Sequence, residues 1–296
     1  MPRHLVSVDD IRDSELESIF LRARQFRTGA RDAARSSRLS GRVVGLLFLQ
    51  TSLRTRVGFA TACARLGWQS VSVFEQRASE VSMAESIDDT LRVAGGMVDL
   101  MVTRLPVPVG PVASSSPVPV ISGGDAGPLA EHPTQALIDV FAMEQERGRV
   151  GDLHIAICGD LRMRSARSLT RLLLRRRPRK LSLISVPALM DPVLAGNPDP
   201  ILDRCQLSEV SDVDVLYVTG IPHQAIPEDV RDTLRVTSDV MKRLPKNAVV
   251  LSPMPVIDEI DSQARCDDRI KMFNQSDNGV YVRMAVLEAM GDASAA

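Results

Sequence analysis

Lysine is scarce in this chain: Lys180, Lys242, Lys246 and Lys271 are the whole complement, and every other basic residue except histidine is arginine. Neither sign of charge is in excess. The formal net charge is −1, so bulk electrostatics give no support for a nucleic-acid partner. Apolar runs are short, and none approaches the roughly 20 residues needed to cross a bilayer. Residues 1–10 lack the apolar stretch of a signal peptide. The four cysteines, Cys63, Cys158, Cys205 and Cys266, form neither a CxxC pair nor a zinc-like spacing. They read as reduced thiols of a cytoplasmic protein. No short-period repeat is present. Gly159-Asp160 follows an apolar strand without a GxGxxG, which disfavours a nucleotide-dependent oxidoreductase.

What is present is ordinary for a globular enzyme. Hydrophobic residues make up 44% of the chain and charged residues 25%. A length of 296 residues exceeds one ordinary core and predicts two domains of about 150 residues each. Short apolar runs at 43–49, 70–74, 97–104 and 118–122 read as strands, with helices over 56–67 and 86–95 between them. Residues 105–119, rich in Pro, Gly and Ser, read as a loop. The rhythm then repeats. A helix over Pro133–Arg147 crosses between the halves, strands fall at 153–158, 180–186, 213–219 and 248–251, and a helix over 280–290 closes the chain. The fold class predicted is α/β, two doubly wound parallel-sheet domains joined by crossing helices. The first domain is placed at 1–136 and the second at 137–279, with a C-terminal helix near 280–291 packing back on the first. Ligands of such sheets gather at the carboxyl ends of the strands.

One basic run, Arg175, Arg176, Arg177, Pro178, Arg179 and Lys180, has two readings. Cations favour a helix C-terminus before a proline. The alternative is a polyanion site.

The stretch Phe48-Leu49-Gln50-Thr51-Ser52-Leu53-Arg54-Thr55-Arg56 is the most informative. A strand ends, hydroxyls and arginines follow, and a helix begins. Free backbone N–H groups at a helix start attract an anion. Ser52 and Thr55 add hydroxyl donors, and Arg54 adds a planar charged fork suited to phosphate. A Ser/Thr-capped helix with solvated arginines reads equally well from this segment alone. Further on, His132 sits just before a helix with Gln135 one turn later, placing an imidazole and an amide on one side of a helix start.

Taken in order, these segments resemble the aspartate/ornithine carbamoyltransferase family, most closely the aspartate branch. Ser52-Leu53-Arg54-Thr55-Arg56 is similar to the family Ser-Thr-Arg-Thr-Arg loop, with Leu53 where the family has threonine. Glu131-His132-Pro133-Thr134-Gln135 resembles the His-Pro-x-Gln motif that grips the carbamoyl group. Asp99–Arg104 matches a strand ending in an arginine that bridges phosphate and carbonyl oxygen. Gly159–Leu169 resembles the second-domain turn, one residue shorter than the family form. Residues 274–284 match the closing segment of the aspartate enzymes.

The resemblance implies a carbamoyltransferase that needs no metal or organic cofactor, with two α/β domains. It implies a homotrimer, or a multiple of one, with sites shared between subunits, and no nucleic-acid or membrane partner. Carried over by position, Arg54, Thr55, Arg104 and His132 are catalytic. Ser52, Leu53, Arg54, Thr55, Ser79, Arg104, His132, Gln135, Pro253 and Met254 bind carbamoyl phosphate. Arg164, Met83, Gly220 and Pro222 line the acceptor site.

The pattern breaks on the acceptor side. The family loop ending Lys-Gly-Glu-Ser reads Met83-Ala84-Glu85-Ser86, so a cation is replaced by Met83. The family Thr-Arg-x-Gln reads Thr219-Gly220-Ile221-Pro222, and His-Pro-Leu-Pro-Arg reads Ser252-Pro253-Met254-Pro255-Val256. A carboxylate buried without a cation is costly. These losses predict an acceptor amine other than aspartate or ornithine, with aspartate a very poor substrate unless Arg162 or Arg167 restores the clamp. The alternative is a noncatalytic homologue serving as a partner subunit or carbamoyl-phosphate binder.

Overall fold

A computed structural model of the chain describes residues 3–29, 41–74 and 85–293. They divide into two compact units, Met1–Gln135 with Asn278–Ala296, and Ala136–Asp277.

In the first unit α1 (Asp13–Arg27) precedes β1 (Val43–Phe48), α2 (Leu53–Leu66), β2 (Gln69–Phe74), α3 (Ile87–Gly95), β3 (Leu100–Arg104), α4 (Val109–Ala113) and β4 (Val120–Ser122). The strands form a parallel sheet in the order β2-β1-β3-β4. β1 and β3 occupy its centre, and their side chains are buried almost throughout. Such near-continuous apolar runs are what a sheet covered on both faces requires. The amino-terminal segment extends the sheet beyond β4. Leu5 N–H donates to Val120 carbonyl at 2.8 Å, and Ser122 N–H donates to Leu5 carbonyl at 2.8 Å.

In the second unit α5 (Pro133–Arg147) leads into β5 (His154–Cys158), α6 (Arg164–Arg176), β6 (Lys180–Ile184), α7 (Pro192–Ala195), β7 (Leu202–Arg204), β8 (Val215–Val218), α8 (Glu228–Asp232), α9 (Ser238–Arg243) and β9 (Val249–Leu251). The sheet is again parallel, in the order β7-β6-β5-β8-β9. Its core includes Ala156, Cys158, Ile184, Leu216 and Val218. α10 (Met272–Ala293) starts in this unit and ends in the first. No helix of the described residues is long and apolar enough to cross a membrane.

Both sheets have the predicted α/β class. The differences lie in short elements. Residues 105–119, read as a loop, contain α4. Its Val109 and Ala113 are buried against Leu105 and Val120, so packing offsets a sequence with poor helical propensity. α10 begins at Met272, eight residues before the predicted 280. Gln275 and Asn278 there are buried polar residues, which interrupt the apolar period that marks a helix in sequence.

The basic run ends α6 as a cationic C-terminus. Arg175 and Arg176 occupy its last turn, and Arg177 closes it in the left-handed region at φ 51°. Acids neutralise much of the run: Arg176 pairs with Glu144, Arg177 with Asp199, Arg179 with Asp214, and Lys180 with Asp203.

A buried imidazole makes this unit sensitive to acid. His154 is 2% exposed, with Nε2 at 2.8 Å from Ser182 Oγ and Nδ1 at 3.1 Å from Asp212. Burial lowers its pKa, against the upward pull of Asp212 and with the added downward pull of Lys180 and Arg179. The unfolded chain therefore binds this proton more readily. The stability contributed by neutral His154 is present above about pH 6.5 and is lost as pH falls through that value toward the folded pKa. We expect the urea midpoint to fall between about pH 7 and pH 5, and to fall less steeply in His154→Gln. Equal slopes would assign the acid sensitivity elsewhere, His4 being the other histidine whose burial lowers its pKa.

Candidate active site

The first unit assembles its polar residues at the carboxyl ends of β1, β3 and β4. β1 runs into a turn whose Leu49 and Gln50 N–H groups both donate to the Arg104 carbonyl, at 3.0 and 3.2 Å. The end of β1 is thus fixed to the end of β3, in the register that sets Phe48 opposite Arg104. α2 starts at Leu53 with Ser52 as its cap in extended conformation. The Ser52 side chain makes no capping hydrogen bond, and the first turn holds no acid. A helix start of this kind, with its N–H dipoles directed outward, favours an anion. Arg54 stands in that turn, with partial burial lowering its pKa. Thr55, 4% exposed, faces into the fold.

Two glycines draw the remaining groups together. After β4, a Cβ added at Gly123 would lie 3.1 Å from Thr55 Cγ2 and 3.2 Å from the Thr103 carbonyl. Gly124 adopts φ +98°, and a Cβ there would lie 2.8 Å from both Arg104 Nη1 and His132 Cδ2. Arg104 Nη1 also donates to the Gly123 carbonyl at 3.1 Å. Only a residue without a side chain lets guanidinium and imidazole converge this closely. Thr55, Arg104 and His132 therefore meet around residues 123–124, beside the start of α2.

His132 is held from behind. Asp125 Oδ1 accepts from Glu131 N–H at 2.6 Å, and Asp125 Oδ2 accepts from Val109 N–H at 3.1 Å. Glu131 in turn accepts from Ser7 Oγ at 2.9 Å and from Val8 N–H at 3.3 Å. Gln135 lies in the first turn of α5, its N–H donating to the His132 carbonyl at 3.0 Å. Neither glycine, nor Asp125 or Glu131, was singled out from sequence as part of the site. The signal available was Gly123-Gly124 directly after an apolar strand, where a close backbone approach is expected.

The second unit places its candidates at the carboxyl ends of β5, β8 and β9. Arg164 opens α6. The turns after β5 and β8 are stitched together: Asp160 N–H donates to the Gly220 carbonyl at 3.0 Å, and Thr219 Oγ1 donates to the Cys158 carbonyl at 3.1 Å. Where a Cβ at Gly220 would stand, Met163 Sδ is 3.3 Å away. Pro222 follows in the same turn, half-buried. Pro253 and Met254 lie in the turn after β9, with Met254 at φ 57°. The two arginines considered as replacements for a missing cation are engaged elsewhere. Arg162 forks onto Asp160 at 2.9 and 2.8 Å, and Arg167 forks onto Asp191 at 2.8 and 2.7 Å. Ser79 and Met83 lie outside the described residues.

Residues 3–145 match the aspartate/ornithine carbamoyltransferase, carbamoyl-P binding domain, and residues 151–290 match the Asp/Orn binding domain of the same family. The aspartate carbamoyltransferase catalytic subunit of Archaeoglobus fulgidus is 35% identical over 97% of this chain and 98% of its own. That of Clostridium acetobutylicum is 33% identical over 96% of each chain. The structure of Trypanosoma cruzi aspartate transcarbamoylase in complex with carbamoyl phosphate and aspartate superposes with a TM-score of 0.83, at 27% identity, over 97% of this chain and 96% of that one. These relatives are named for aspartate. They overturn the expectation, drawn from Met83, Gly220 and Pro222, of an acceptor other than aspartate. With both family domains matched across nearly its whole length, the chain belongs to the aspartate/ornithine carbamoyltransferase family.

Proposed function

We propose that this protein is an aspartate carbamoyltransferase, transferring the carbamoyl group of carbamoyl phosphate to the amine of aspartate. The observation that carries the reading is the convergence of Arg104 and His132 on Gly124, next to Thr55 at the start of α2. Phosphate suits the α2 start with Ser52, Leu53 N–H and Arg54. The carbamoyl oxygen suits Arg104, Thr55 and His132. The neutral amine attacks the carbamoyl carbon, and negative charge grows on the carbonyl oxygen. Arg104 and His132 stabilise that charge without reorganising, because their positions are fixed in advance. The C–O bond to phosphate then breaks. Phosphate leaves with the electron pair and accepts the proton released by the amine.

The carbonyls of Pro253 and Met254 would accept from the carbamoyl NH2, and Gln135 would contribute its side-chain amide to the same group. Arg164 would hold the α-carboxylate of aspartate. Pro222 and Gly220 contribute no charge to its second carboxylate, and Arg162 and Arg167 already hold Asp160 and Asp191. Ser79 belongs to this reading only through the resemblance.

We extend the proposal to a cytoplasmic homotrimer. Exposed apolar residues support the assembly. The edge strand β2 shows Val71 54% and Val73 40% exposed, and the adjoining α2 shows Leu53 67% and Val57 50%. Parallel strands are ordinarily covered on both faces, and a bare edge invites another chain. The four cysteines, two of them buried, are free thiols, as a reducing compartment maintains.

Steady-state kinetics on the purified protein test the reading, with light scattering on the same preparation. The expected result is saturable phosphate release from carbamoyl phosphate that requires aspartate, none with ornithine, and a mass near three chains. Absence of aspartate-dependent turnover would overturn the activity, and a stable monomer at micromolar concentration would overturn the assembly.

A further inference from the structure

Three buried side chains in the second unit, none of them in the site described above, form a hydrogen-bonded chain that ends on it. Asp139, fully buried in α5, accepts from Tyr217 hydroxyl at 2.6 Å through Oδ2. Its Oδ1 accepts from Gln275 Nε2, also at 2.6 Å. Gln275 Oε1 then accepts from Ser252 N–H at 2.8 Å. Ser252 is the first residue after β9, and its hydroxyl accepts from Met254 N–H at 3.2 Å. Met254 holds φ 57°, a left-handed conformation that a non-glycine residue adopts only when its surroundings impose it.

The chain has a direction. Ser252 N–H can only donate, so the Gln275 group facing it must be the carbonyl oxygen. The Gln275 amide NH2 must therefore face Asp139, and a carboxylate offers acceptors only. Tyr217 supplies the second donor to the same carboxylate, and burial raises its hydroxyl well above the ordinary pKa, so it stays protonated. A buried polar network with every bond made fixes one arrangement of the groups at its end. Here that end is the turn whose carbonyls the proposed mechanism aims at the carbamoyl NH2.

We propose that Gln275, oriented by Asp139, is a positioning residue for the carbamoyl-phosphate site, holding the turn of Ser252, Pro253 and Met254 in its strained conformation. The proposal rests on the carbamoyltransferase reading given above.

Three variants test it. Gln275→Met cuts the chain at the turn. Tyr217→Phe removes a bond of similar burial at the far side of Asp139 and leaves the turn end intact. Ser252→Ala removes only the last bond, from Met254. With wild-type protein turning over aspartate, Gln275→Met is expected to lose about tenfold or more in kcat/KM for carbamoyl phosphate. Tyr217→Phe should show a comparable fall in urea midpoint and keep kcat/KM within about threefold of wild type. Should Gln275→Met fail to fold, Ser252→Ala decides, with an expected loss of about fivefold at an almost unchanged urea midpoint. Equal kcat/KM in folded Gln275→Met and Tyr217→Phe, or a fully active Ser252→Ala, would overturn the positioning role alone. Wild-type protein inactive with aspartate would overturn the functional reading and this proposal with it.

Discussion

Arg54→Ala is expected to lower kcat/KM for carbamoyl phosphate by about a thousandfold while leaving the protein folded. The size of the effect follows from the place of this guanidinium, in a first helical turn that has no acid and no side-chain cap. The only other fully charged cation in that turn is Arg56, two residues on. Removing one preorganised charged donor from such a site costs about 3–4 kcal/mol, and each 1.4 kcal/mol is a factor of ten. Arg54→Lys should recover only part of the loss, because a point charge cannot make the bidentate contact of a planar fork. Arg54 is largely exposed, so the urea midpoint should stay near wild type. Steady-state kinetics and a urea titration on the same variant check both statements. A loss below tenfold would remove Arg54 from phosphate binding.

The second large effect is expected at a residue with no side chain. Gly124→Ala should reduce kcat/KM by about a hundredfold or more. The new Cβ would fall 2.8 Å from Arg104 Nη1 and 2.8 Å from His132 Cδ2, closer than real Cβ contacts come. The arginine end can move away, but movement is the damage, since a 1 Å misplacement of a catalytic group costs about a hundredfold. Backbone strain adds a separate penalty, because φ +98° is unfavourable to any L-residue. Gly41→Ala separates the two. Gly41 has φ +81° with nothing among the described residues within 4 Å of an added Cβ, so that variant carries strain without displacing the groups around Gly124. It should lose stability by about 1–2 kcal/mol and keep its activity. Comparable activity in the two variants would show that the convergence around Gly124 does not govern the chemistry.

The candidate residues that converge in the first unit stand out in the sequence because most of them are local. Ser52, Arg54 and Thr55 occupy one helix start, and His132 with Gln135 occupies another. A strand-to-helix transition places such residues without knowledge of the rest of the fold. The glycines that bring Arg104 to His132 were not legible as site residues, because their contribution is the absence of a side chain among groups 20 and 8 residues distant in sequence. The relay from Asp139 to Ser252 was hidden for the same reason, spanning 136 residues between Asp139 and Gln275. α4 was missed because its short Val-Gly-Pro-Val-Ala sequence forms a helix through burial rather than propensity. The acceptor was misread by a different route. Three positions were judged by residue type alone, on the premise that the charge for aspartate must come from them. The named relatives act against that premise, and in the structure Arg162 and Arg167 are paired with Asp160 and Asp191.

The division of the chain into a contiguous and a discontinuous unit bears on the order in which the protein is made. The second unit, Ala136–Asp277, is one uninterrupted segment and has all its own residues once about residue 277 has left the ribosome. The first unit begins earlier but needs the segment from Asn278 onward, whose Arg283 packs against Phe59 and whose Glu288 pairs with Arg22. Its amino-terminal strand also waits for Val120–Ser122 and Glu131 to appear. Synthesis therefore completes the later unit before the earlier one, which stays unfinished until the segment from Asn278 onward has been made. Among newly made chains, the exposed intermediate is the amino-terminal half with its edge strand unpartnered, which is where aggregation competes with folding.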